Sequence, residues 1–142
     1  MRFMMIVKAN KDSEAGVLPS QQLVDAMVKY NEELVNAGVL LAGEGLHPTS
    51  NAVRISYPVP GDKPVITDGP FPETNELIAG FWLIQVNSRE EAIEWALRAP
   101  DPHGGGEGQI ELRQVFGDDE INLDPESLAR ETALRKQIEQ YS

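Results

Sequence analysis

Two segments of this chain are apolar on both faces of a strand, and that restricts its architecture more than any other feature. In "RFMMIVKA", residues 2 to 9, Phe3, Met5 and Val7 fall on one face and Met4 and Ile6 on the other. In "GFWLIQV", residues 80 to 86, Phe81 and Leu83 alternate with Trp82, Ile84 and Val86. Strands of this kind must be covered above and below, which puts them in the middle of a sheet. The other strand-like runs are weaker. "VLLAGEGL", residues 39 to 46, reads as a second strand, and "QIELRQVF", residues 109 to 116, as a last one that is only half apolar.

Two helices separate these strands. After the breaker-rich "NKDSEAGVLPS", the segment Gln21 to Ala37 spaces Leu23, Met27, Tyr30 and Leu34 at helical intervals, with Gly38 where a C-terminal cap belongs. Ser88 caps a second helix, "SREEAIEWALRA", whose first turn is acidic and whose Ala92, Ile93, Ala96 and Leu97 are expected to face inward before Pro100 ends it. Between the second and third principal strands, "AVRISY" and "PVIT" flank "PVPGDK" as an inserted hairpin. The tail begins at Asp124, an N-cap followed by Pro125 and Glu126, and carries Leu128, Leu134 and Ile138 on a terminal helix that lies on the surface or on a partner.

The order is therefore β-α-β-β-α-β, an α+β ferredoxin-like antiparallel sheet with an inserted hairpin and a C-terminal helix. Residues 1–120 form the domain and 121–142 a helical extension. In that topology the first and third strands are central, and these are the two that are apolar on both faces. Two helices cover only one side of the sheet. The other side, assigned Met4, Ile6 and either Trp82 and Ile84 or their alternates, needs a second cover, and a two-fold homodimer supplies it most economically.

Composition removes several function classes. A formal charge of −11 opposes binding to nucleic-acid phosphates or anionic membranes, which requires clustered cations. The chain has no cysteine, so thiolate catalysis, disulfides and Cys-type zinc sites are excluded. No run approaches the length of a membrane span, and "MRFMMIVKAN" is too briefly apolar for a signal peptide, which implies a cytoplasmic protein.

The candidates for chemistry are few. "HGGG" at 103 to 106 lacks the G-x-S-x-G elbow an oxyanion loop would serve and lies after a helix, the reverse of a phosphate loop, so it reads as a flexible connection. His47 is either a general acid or base or a surface histidine at a strand end; His103 reads as an exposed loop residue. Arg54 and Arg113 could hold an anionic substrate or pair with resident acids such as Glu73 and Glu111. Trp82 is a core residue or a ligand platform.

"TDGPFPETNEL", residues 67 to 77, is the most unusual stretch. Asp68, Gly69, Pro70 and Pro72 suit a stiff turn, yet the same loop gathers Glu73, Thr74 and Glu76. One reading is a small-molecule enzyme with a pocket between sheet and helices. It takes Asp68 or Glu73 as base, His47 as acid or base, and Arg54, Trp82 or Arg113 as substrate contacts, with no organic cofactor or metal. Another is a ligand-binding or regulatory dimer, and a third makes the motif a folding device.

Together with "GEGLHPTS", "DGPFPETNELIAGFWLIQV", "SREEAIEWALRAPDP" and "GQIELRQVF", this stretch resembles the YCII-related family, in particular its D-G-P-F branch, over nearly the whole chain. The resemblance implies a ferredoxin-like domain assembled as a dimeric α/β barrel. It also implies an enzymatic role suggested for simpler members and a link to extracytoplasmic-function sigma factors. Asn75 stands where that family usually has lysine, and no histidine lies near the first strand.

Overall fold

The computed structural model describes residues 1–121 and 124–140. A four-stranded antiparallel sheet is built from β1 (Arg2–Lys8), β2 (Leu40–Gly45), β5 (Ile78–Gln85) and β6 (Ile110–Gln114), in the order β2-β5-β1-β6. The two doubly apolar segments are the central pair, in a ferredoxin-like arrangement. The helices α2 (Gln21–Asn36) and α3 (Arg89–Arg98) supply the core against one face. β3 (Val53–Ser56) and β4 (Val65–Asp68) form the separate inserted hairpin, and α4 (Pro125–Gln140) follows the domain. No helix of the described residues is long and apolar enough to cross a membrane.

Register decides which apolar residues share a face. Phe3 lies opposite Ile84 and Met5 opposite Trp82, and these four residues are buried in one cluster with Tyr30 and Leu34 of α2 and Ala92 and Trp95 of α3. The other face carries Met4 opposite Leu83 and Ile6 opposite Phe81, flanked on β6 by Arg113 and Glu111. The grouping of Met4 and Ile6 with Trp82 and Ile84 is thereby corrected to its alternate, because directly opposed residues of an antiparallel pair point the same way.

The helices end as their sequences direct. Ser20 caps α2 by accepting from the Leu23 N–H, and Gly38, at φ 74°, closes it with paired bonds from Gly38 to Val35 and from Val39 to Leu34. That double closure is a Schellman motif. On α3 the buried stripe is Ala92, Trp95, Ala96 and Ala99, whereas Leu97, expected inside, is 80% exposed. The stripe runs at i, i+3, i+4 and i+7, and Leu97 falls beyond its edge. Tyr30 joins the two helices: its hydroxyl donates to the Trp95 carbonyl at 2.6 Å, and burial pushes its pKa up to about 12.

A short helix, α1 (Lys11–Glu14), occupies part of the stretch read as a breaker. It forms because Asn10 and Ser13 cap one another reciprocally, Asn10 Oδ1 accepting from the Ser13 N–H at 2.8 Å and Ser13 Oγ from the Asn10 N–H at 2.9 Å. Glu14, at its end, grips Thr49: one carboxylate oxygen accepts the backbone N–H at 3.1 Å and the other the hydroxyl at 2.5 Å. The same hydroxyl oxygen accepts the Phe71 N–H at 3.0 Å.

That chain of bonds locates the D-G-P-F stretch. The Gly69 N–H donates to the Ala52 carbonyl at 2.8 Å, the Gly69–Pro70 bond is cis, and any side chain at Gly69 would overlap the Thr49 carbonyl. Glycine is therefore required here by close backbone approach. Gly69→Ala is expected to destabilise the fold by about 2 kcal/mol or more, as for forced overpacking. Gly45→Ala, where an added methyl meets nothing within 4 Å, should change it by under ~1 kcal/mol. Urea unfolding midpoints compare the two.

Candidate functional site

On the helix-covered side a cavity of about 560 Å³ lies between the sheet, α2 and two loops. Its origin lies in the strands. Beyond Trp82 the helix-facing positions become Gly80 on β5, with Gly43 opposite Trp82 and Gly45 opposite Gly80 on β2. Three successive core positions thus carry no side chain; the Trp82 ring edge lies 3.0 Å from where a Cβ of Gly43 would stand, while Gly45 is left open, and Leu23, Met27 and Asn31 of α2 line the same space. Glycine inside a strand weakens it and is placed where something must approach the backbone closely. At Gly80 that something is partly the sheet itself, since an added Cβ would stand 2.8 Å from the Glu44 carbonyl oxygen.

The walls also include Val7 of β1, Glu44 of β2, Ala79 and Phe81 of β5, Asn10, Asp12 and Ser13 at α1, residues 17–20, and residues 102–105. Trp82 stands at the inner end, 6% exposed, its indole N–H donating to Asn31 Oδ1 at 2.7 Å. With its oxygen engaged, Asn31 retains its NH₂ donors for other partners.

His103 is half-buried rather than an exposed loop residue, and the reason is Asp101. Its carboxylate accepts the N–H groups of His103 at 3.0 Å and Gly106 at 2.6 Å. Those bonds, His103 first, hold the Asp101 carboxyl below the usual carboxylate range. The loop so folded brings His103 Nε2 within 2.8 Å of the Lys8 carbonyl. A carbonyl only accepts, so Nε2 carries the proton, and in the neutral ring Nδ1 is left as the basic nitrogen.

The other sequence candidates lie elsewhere. His47 is exposed, its Nδ1 3.2 Å from the Asn51 amide nitrogen. Arg54 and Glu73 come together at 3.1 Å, with the guanidinium 3.8 Å above the Phe71 ring. The hydrogen bond from Arg54 is the main cause holding the Glu73 carboxyl below its ordinary value. Asp68 ends β4 on the surface, and Arg113 pairs with Glu111 at 4.0 Å on the open sheet face. Of the six, Trp82 alone lines the cavity.

A more polar depression, lined by Asn10, Lys11, Asp12, residues 72–76 and Glu107, lies beyond α1. Asn10 and Asp12 belong to both, so α1 is a partition between the cavity and the D-G-P-F loop. Through Glu14, Thr49 and Phe71 that loop holds the partition in place. Among the described residues no group of three or more histidines and carboxylates is arranged to hold a metal.

A protein of Rhizobium meliloti (strain 1021), described only as uncharacterised, is 37% identical over 62 residues, 44% of this chain. The match spans about half, 48%, of that protein's length. The model of the YCII-related domain matches residues 1–117, from β1 through the end of β6 and thus every strand and both core helices. The chain accordingly belongs to the YCII-related domain family.

Proposed function

We propose that the protein binds a small organic molecule in the cavity under α2 and that His103 is the acid-base group facing it. The observation that carries this reading is the glycine-floored cavity itself, with apolar walls and a few polar groups, His103 and Asn31 among them. Nε2 of His103 is held by a carbonyl, which orients the ring and leaves Nδ1 to exchange a proton with a ligand. In this reading the D-G-P-F loop positions the wall, and Asp68, Glu73, Arg54 and His47 contribute through the surface around it.

A homodimer is proposed beside it, on the strength of the second sheet face. Met4, Phe81 and Leu83, half-buried around the buried Ile6, form an apolar centre outside the cluster that α2 and α3 close, bordered by Glu111 and Arg113. A second copy, sheet against sheet, would bury it. Such a dimer also suits a regulatory role, including one tied to sigma-factor transcription through a protein partner.

Three outcomes are expected. In a thermal-shift screen of small organic molecules, wild-type protein should show ligands that raise its apparent stability as ln(1 + [L]/Kd), and Gly45→Leu, which fills the floor, should lose them. His103→Gln should retain binding while losing any turnover of such a ligand; loss of binding alone would make His103 structural. Light scattering should give twice the chain mass at micromolar concentration, and Phe81→Glu should return a monomer.

Stability of the 101–108 loop should depend on pH with a defined sign. The Asp101 carboxyl is depressed in the folded state, so its contribution is present above its unfolded pKa of about 3.9 and is lost as pH falls through the lower folded value. Amide exchange at Gly106 should therefore accelerate in strong acid, and Asp101→Asn should remove most of that pH dependence.

A further inference from the structure

We propose that the cavity takes a flat, uncharged aromatic or heteroaromatic ring system, laid against the glycine floor of β2 and β5. This deepens the binding reading above and rests on it. Three features converge. First, Gly43 and Gly45 of β2 and the paired Gly80 of β5 keep side chains off the floor, which is the Trp82 ring edge over Gly43, close-packed backbone at Gly80 and open strand backbone at Gly45, a surface low enough for a planar ligand. Second, the opposite wall is Leu23 and Met27 of α2, and a thioether and a branched alkyl group pack well on an aromatic face. Third, polar groups stand at two places on the wall, Asn31 of α2 beside Trp82 and His103 on the loop, each able to bond a ring hydroxyl or ring nitrogen.

Charge restricts the class further. Among the described residues no lysine or arginine lines the cavity, whereas Asp12 and Glu44 do, and the whole chain carries a formal −11. A carboxylate or phosphate on the ligand would enter against that field without a cation to pair with. Arg54 and Arg113, the candidates for holding an anion, are paired with Glu73 and Glu111 outside the cavity.

The test uses β-naphthol, its saturated counterpart decahydro-β-naphthol and the acid β-naphthoate as probes of the 142-residue chain, with affinities from calorimetry. The saturated alcohol is as apolar as the aromatic one but thicker, so simple hydrophobic transfer gives no advantage to the flat ring. β-Naphthol is expected to bind about tenfold more tightly than either of the others, and Gly45→Leu should erase that preference. Equal affinity for the saturated alcohol overturns the planar ligand while leaving the binding cavity standing. Equal or tighter binding of β-naphthoate overturns the uncharged class. If none of the three binds the wild-type chain while the thermal-shift screen yields other ligands, this proposal falls and the binding cavity stands; no ligand in either experiment overturns both. Circular dichroism of Gly45→Leu distinguishes a filled floor from a lost fold.

Discussion

The antiparallel pairing of β1 with β5 is the constraint on which the rest of the molecule depends. It aligns Phe3 with Ile84 and Met5 with Trp82, and so delivers four large side chains to the face that α2 and α3 close. A slip of one residue would turn that set outward, so burial and register enforce each other. The edge strands then follow: β6 pairs with β1, and β2 with β5. Tyr30 locks the helices above them, its ring edge-on to Trp82 at 5.3 Å and its hydroxyl bonded to the Trp95 carbonyl.

The cavity begins where that core stops. Along β5 the helix-facing positions run Ile84, Trp82, Gly80, from fully packed to bare, and β2 matches them with Leu40, Gly43 and Gly45. Packing is thus surrendered at one end of the sheet, and the surrounding loops are braced by polar contacts in its place. Asp101 ties the 101–108 loop, Asn10 and Ser13 cap α1, and Glu14 clamps α1 to Thr49 and through it to Phe71. The D-G-P-F stretch belongs to this bracing, one layer behind the wall rather than on it.

Much of the fold was legible because it rests on short periods. Alternation picked out the central strands, the spacing of Leu23, Met27, Tyr30 and Leu34 picked out α2, and Asp124 capped α4, where it accepts the Ser127 N–H at 2.7 Å. The readings that missed were local ones decided by contacts elsewhere. α1 has only four residues and is held by a reciprocal Asn10–Ser13 cap that a glycine two residues after its end obscures. Leu97, expected inside α3, lies outside, because residue type ranks leucine with the core while the stripe is fixed by where the sheet lies. His103 was read as exposed since three glycines follow it; its burial comes from Lys8, ninety-five residues away in the chain.

The sequence by itself determined the order of elements, the central place of the doubly apolar strands, the family and the absence of thiol chemistry, since each depends on periodicity or on residue type alone. Tertiary structure decided which alternate residues share a face, that Arg54 is spent on Glu73 and Phe71, and where the cavity lies. The physical reason is range. Glycines at 43, 45 and 80 are three unremarkable letters until strand pairing sets them side by side, and only then do they become a floor.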